Sequence, residues 1–155
     1  MQKKITAEEY KQAFNKLIDL PIIDVFKAAG TELFFVIKDK NSEKLSLVVD
    51  GVWNYESDNY RFLTEFKNDN ETALELYERI GSFVEQKLKN KIRSISGFKF
   101  NETAKTVSII FNDQSIISVS ANEFGLISVS NHQKKEAVLA KQQDNGQIAF
   151  FHEID

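Results

Sequence analysis

Three acids, Asp50, Glu56 and Asp58, bracket the only Trp of the chain, Trp53, and one of its four Tyr, Tyr55. Two carboxylates beside aromatic rings are the parts of a sugar-cleaving site, where one carboxyl protonates the leaving group and the other attacks or activates water. The same parts make a recognition surface, because Trp and Tyr are enriched at binding hot spots and an acidic rim favours a basic partner. In the plain structural alternative, Trp53 lies in the core, Asp50 makes a turn and the other acids solvate a strand end. The candidate binding residues are therefore Asp50, Trp53, Tyr55, Glu56 and Asp58, and no catalytic residue is assigned.

Other chemistry finds little support. His132 and His152 stand twenty residues apart, with neither HExxH nor HxH spacing and no cysteine to complete a ligand set. Serine is plentiful, but none sits in a GxSxG elbow. The six glycines are isolated from one another, so no phosphate-binding loop exists. Absent cysteines also exclude disulfides and thiol nucleophiles. No metal and no cofactor are expected. Lys87, Lys89, Lys91 and Arg93 form the densest basic run, which a helix C-terminus accommodates through its dipole. Two sequons, Asn70-Glu71-Thr72 and Asn101-Glu102-Thr103, matter only on export.

Positioning falls to a meander. Residues 32–56 read as three strands joined by turns at Asn41-Ser42 and Asp50-Gly51, the latter a favoured hairpin dipeptide. Leu33–Ile37 is apolar throughout, which predicts a strand buried on both faces. Lys44–Val49 alternates, Val52–Glu56 places Trp53 and Tyr55 on one face, and Tyr60–Phe66 is a further strand. Ahead of the meander, Thr6 and Glu9 form a capping box for a helix over 6–20 that Pro21 stops, followed by a short strand at Ile22–Phe26. Asp69 or Asn70 is placed to cap a second helix over 71–88, with Gly81 inside it marking a close backbone approach. Strands then recur to the C-terminus: a bulged segment around Ser96-Gly97, Thr106–Phe111, Ser115–Ser120, Leu126–Ser130, Ala137–Ala140 and Gln147–Ile154.

Each half thus reads as a helix, a short apolar strand and a meander, a possible pseudo-repeat of 1–69 and 70–155 within a single domain spanning 1–155. The expected fold is α+β: two helices on a mostly antiparallel sheet of roughly eight to ten strands, whole or split in two, with the halves sharing one core. A chain of 155 residues with 42% hydrophobic and 28% charged residues supports a normal core, rich in its thirteen Phe. Its net charge of −3, spread over both halves, lacks the basic excess of nucleic-acid binders. The N-terminus has no apolar signal region and no stretch is long enough to span a membrane, so a soluble, cytoplasmic protein is expected.

In size and layout alone the chain resembles small bacterial immunity proteins, without a shared motif. The leading functional expectation is a non-enzymatic protein-interaction module, an immunity- or inhibitor-like binder or an assembly partner. A carrier of a small apolar ligand in a curled, Phe-rich sheet is the first alternative. An enzyme assembled from dispersed Ser, His, Asp and Glu is the second. The expected partner is another protein rather than nucleic acid or membrane, and pairing of edge strands between two copies stays open.

Overall fold

The computed structural model describes residues 1–101, 105–120 and 127–155. The chain runs β1 (Gln2–Ile5), α1 (Ala7–Asn15), β2 (Ile22–Lys27), β3 (Leu33–Lys38), β4 (Lys44–Val49), β5 (Trp53–Ser57), β6 (Tyr60–Leu63) and α2 (Ala73–Phe83), which continues as a π-helical turn (Val84–Leu88). It then runs β7 (Ile95–Asn101), β8 (Thr106–Phe111), β9 (Ile116–Ser120), β10 (Ile127–Asn131), β11 (Glu136–Gln142) and β12 (Ile148–Ile154). All sheet pairings are antiparallel, in a seven-stranded sheet of order β1-β12-β11-β10-β4-β3-β2 and a five-stranded sheet of order β6-β5-β9-β8-β7. This is the α+β class expected, with the sheet split in two. Polar β1 was not anticipated; it pairs with β12 as an edge strand, from Gln2 opposite Glu153 to Ile5 opposite Phe150.

The strand order departs from a simple meander at Asp50-Gly51. β3 and β4 form the expected hairpin, but β5 pairs with β9 and β6 in the other sheet. Asp50-Gly51 is therefore a crossover between sheets. Of the two, only Gly51 has a positive φ, at 77°, whereas the hairpin turn expected there needs both central residues positive. The second half makes the same exchange: β7, β8 and β9 form a meander in the five-stranded sheet, and the β10–β11 hairpin pairs with β4 in the seven-stranded one. The five-stranded sheet is thus the β7–β9 meander of the second half extended by the β5–β6 hairpin of the first, and the seven-stranded sheet joins β2–β4 of the first half to β10–β12 of the second, with β1 at its edge.

The two sheets face each other. Leu33, Phe35 and Ile37 of β3 meet Val107, Ile109 and Phe111 of β8 in one buried cluster, with the Phe35 and Phe111 rings 5.4 Å apart. Phe34 and Val36 point the other way and are only half-buried, so β3 is covered fully on one face rather than two. Phe34 instead stacks on exposed Phe26, with ring centroids 5.1 Å apart. The sandwich's open sides are closed by the helices. α1 lies against β7, β11 and β12, and α2 with its π turn lies against β2.

Both helices begin in the same way. Thr6 and Thr72 each accept a hydrogen bond from the backbone of the residue three on, and the Glu9 and Glu75 carboxylates accept one from the cap backbone N–H. The cap of α2 is thus Thr72, not Asp69 or Asn70, and the Thr-x-x-Glu pattern was present in the sequence. α1 ends at Asn15, short of Pro21, because successive tight turns through Leu17 and Leu20 bend the chain toward β7. Asp19, at φ 67°, donates its N–H to Ile95 O, and Ile22 donates to Arg93 O. Register shifts fall in matching places near the starts of β2 and β7, between Ile22 and Asp24 and between Ile95 and Gly97. The strand expected from Leu126 starts at Ile127, Leu126 lying outside the described residues, as does most of the second sequon. Among the described residues no helix is long and apolar enough to cross a membrane.

Gly81 is not at a close backbone approach. A Cβ built there would meet only Lys27 Cδ at 3.8 Å, an ordinary contact. Gly81→Ala should therefore stabilise the protein by about 0.5–1 kcal/mol, the helix-propensity difference, and raise the urea midpoint at unchanged slope. A lowered midpoint would show that the helix lacks this space.

Candidate functional site

The candidate hairpin residues divide between core and surface. Trp53 is 0% exposed, and Tyr55 is also buried. Both face inward because β5 turns that phase of its side chains onto Phe62 and Phe83. The Trp53 ring lies 6.1 Å from each of these, and the Tyr55 ring meets Phe83 edge-on at 5.1 Å. Every polar group of Trp53 is satisfied within this region. Its backbone N–H donates to Thr64 Oγ1 at 2.9 Å, Thr64 donates back to Trp53 O at 2.7 Å, and the indole Nε1 donates to Thr31 O at 2.8 Å. Thr31 in turn donates its hydroxyl to Gly51 O at 2.8 Å, pinning the crossover. The two aromatics hold the fold together, and they do not present an exposed recognition face.

Asp50 stands apart from the other two acids. Asp50 Oδ1 accepts from Gly51 N–H at 2.7 Å at one end of β5, while Glu56 and the turn residue Asp58 lie at the other. At about 3.3 Å per residue, β5 alone spans roughly 13 Å, beyond the ~5–9.5 Å between carboxyls in sugar-cleaving sites. Exposed Glu56 pairs with Arg61 at 3.0 Å.

Among the described residues no catalytic set forms around the histidines. His152 Nε2 lies 4.0 Å from Glu136 Oε2. His132 lines a shallow polar depression of about 240 Å³ with Ser130, Glu136, Glu153 and Asp155. Among the described residues no hydrogen bond links Ser130 to His132, the first requirement for an activated nucleophile, and no group of three acids and histidines is placed to hold a metal. The basic run is dispersed among separate partners: Lys89 lies 3.8 Å from Asp24 and 3.7 Å from Glu85, and Lys87 Nζ sits 4.7 Å from the centre of the Tyr60 ring.

A different surface emerges on the other strand of the Trp53 hairpin. β6, the residues after it and α2 enclose a groove of about 570 Å³ lined by Tyr60, Phe62, Leu63, Phe66, Arg79 and Phe83, among others. Its floor is stiff, since Phe62 and Phe83 stack with centroids 4.1 Å apart and Tyr60 lies parallel to Phe83 at 6.1 Å. Its wall is fastened by Arg79. That guanidinium forms a two-point pair with Glu71, Nε to Oε2 at 3.1 Å and Nη2 to Oε1 at 3.0 Å. It also donates to the carbonyls of Leu63 and Glu65 at 3.1 and 2.6 Å, and it lies over the Phe62 ring at 5.3 Å. Tyr60, Leu63 and Phe66 nonetheless remain 39%, 40% and 55% exposed. Alternation placed Phe66 in phase with Phe62 and Thr64, but the strand stops at Leu63, and nothing local marked Phe66 as exposed. Nor did any sequence pattern single out Arg79, whose contacts lie eight to sixteen residues away.

Compared with known proteins, the chain matches no protein-family model, no curated protein and no solved structure.

Hydrogen bonds from Arg79, then from the Lys67 backbone N–H, hold the Glu71 carboxyl below the usual carboxylate range. A depressed folded value means that Glu71 contributes stability above its unfolded pKa of about 4.3 and loses it as the pH falls through the folded value. In urea unfolding, Glu71→Gln should be less stable than the parent from about pH 7 to 5, and the gap should close below about pH 4. A gap independent of pH would show that the ionised carboxylate is not what fastens this wall.

Proposed function

We propose that the protein acts without catalysis by binding another protein through the groove between β6 and α2, as an inhibitor-like binder or an assembly partner. The observation that carries this reading is the group of exposed apolar side chains, Tyr60, Leu63 and Phe66, along one rigid groove. Half of the large hydrophobic residues left exposed among the described residues fall between Tyr60 and Leu74. Such a concentration is favourable only when something else covers it. The stacked rings and the Arg79 fastening are formed before any partner arrives, so little ordering cost remains at association. Arg79 also occupies the outward carbonyl of Leu63, so the partner is expected to insert apolar side chains rather than add a strand to β6.

Trp53 and Tyr55 are unsuitable test positions, because truncating them would open the core. Leu63→Lys and Phe66→Asp change exposed side chains and should leave the thermal midpoint nearly unchanged. In capture from the native host, each should reduce recovery of the specific partner about tenfold or more, the scale of a binding hot spot. Equal capture by parent and variants would reject the groove as the interface.

A further inference from the structure

The β11–β12 hairpin closes on the only Asn-Gly step in the chain, Asn145-Gly146. Gln143 N–H donates to Gln147 O at 2.7 Å, and Gly146 N–H donates to Gln143 O at 2.9 Å. Gly146 has φ 82°, in the left-handed region, which returns the chain into β12. Lys105 Nζ donates to Gly146 O at 2.6 Å and ties the turn to the start of β8.

The Asn145 side chain adds a second, smaller turn. Its Oδ1 accepts from Gln147 N–H at 3.0 Å, the bond of an Asx turn, and its Nδ2 donates to Gln147 Oε1 at 3.4 Å. That closure folds the side chain back over its own peptide and brings Cγ beside the Gly146 nitrogen, the arrangement of an intramolecular attack. The Gln147 N–H already on Oδ1 stays there as negative charge develops on that oxygen. Glycine supplies a nitrogen that no Cβ shields. Two other asparagines make the same side-chain turn without a glycine. Asn68 Oδ1 accepts from Asn70 N–H at 2.9 Å, and Asn131 Oδ1 from Gln133 N–H at 3.1 Å, but Asp69 and His132 follow them. Asn68 is exposed, as Asn145 is, and Asn131 is buried. Geometry is shared, and the following residue sets Asn145 apart.

We infer that Asn145 is a site of self-modification, deamidating through a five-membered cyclic imide formed with the Gly146 nitrogen. That nitrogen leaves its bond to Gln143 O, gives up its proton to solvent and attacks Asn145 Cγ. The new N–C bond forms, the Cγ–Nδ2 bond breaks, and the amide nitrogen takes a proton from water and departs as ammonia. Water then opens the imide at either carbonyl, with nothing oxidised or reduced. One opening leaves an aspartate at position 145. The other leaves an isoaspartate, which routes the main chain through the former side chain and inserts a methylene into the turn. Both products add a negative charge, and the second also breaks the spacing that pairs Gln143 with Gln147. The turn belongs to neither β6 nor α2, so this site stands or fails independently of the protein-binding groove.

The test incubates the full chain at mildly alkaline pH and follows it by intact mass, peptide mapping and labelling with an isoaspartate-specific methyltransferase. A free peptide of residues 142–148 serves as the clock. Asn145 should convert within about tenfold of the peptide's time, with isoaspartate among the products, while Asn68 and Asn131 remain amides. Gly146→Asn, which tolerates a positive φ, should slow conversion at position 145 about tenfold or more. Asn145→Ser keeps a turn acceptor and should abolish both the mass gain and the isoaspartate label. Should Gly146→Asn not fold, Asn145→Ser decides. Aspartate without isoaspartate would mean direct hydrolysis and overturn the imide route. Isoaspartate persisting in Asn145→Ser, earlier conversion of Asn68 or Asn131, or an intact Asn145 once the peptide has converted fully would overturn the site.

Discussion

The structure depends on the chain changing sheets between its meanders and its hairpins. β4 belongs to the seven-stranded sheet and β5 to the five-stranded one; β9 and β10 make the reverse move. Each sheet's inner face is therefore built from both halves, and neither half carries a complete sheet. The first crossover is held by a short chain of contacts, Gly51 O to Thr31, Thr31 O to the Trp53 indole, and Trp53 backbone to Thr64. Buried at the centre of that chain, Trp53 is what the rest of the first hairpin is fixed to. Removing so large a buried side chain typically costs about 3–5 kcal/mol, a sizeable fraction of a domain's total stability.

The exchange also explains why two helices suffice. Each covers the gap beside the edge strand of the other half's meander, α1 beside β7 being the second half's edge and α2 beside β2 the first half's. Their contacts are alike with the roles inverted. Lys11 of α1 lies over Phe100 of β7, whereas Lys27 of β2 lies over Tyr77 of α2 at 5.2 Å. The two sides then diverge in volume. Beside α2, Trp53, Tyr55, Phe62 and Phe83 pack the space and leave external grooves; beside α1, Tyr10, Phe100 and Phe150 leave an open slot. One architecture thus fills its two sides differently.

Local signals in the sequence carried most of the elements. The Thr6–Glu9 capping box and the bulge at Ser96-Gly97 depend on neighbouring residues, and both appear in the structure. Asp50-Gly51 shows where local reasoning stops. A hairpin and a crossover can use the same dipeptide, and the choice rests on whether Trp53 finds Val119 or a β4 residue opposite it, a pairing made across more than sixty residues. The same limit applies to the candidate binding residues. Composition marked Trp53 and Tyr55 as possible contacts, but only the sheet to which β5 belongs decides that they face inward. Phe66 and Arg79, which shape the groove, depend on contacts between β6 and α2 that no short motif encodes.

Fragment complementation tests the interlocked core most directly. Residues 1–69 and 70–155, expressed separately, each lack strands that complete their sheets: β7–β12 for the first fragment, and β1 to β6 for the second. Each alone should show little stable β structure by circular dichroism, and the Trp53 emission of the first should be that of a solvated indole. Mixed, the fragments should regain the sheet signal, and the emission should shift to the blue as Trp53 is buried. A stable, native-like spectrum from either fragment alone would contradict the account, because it would mean that a half completes its own sheet without the other.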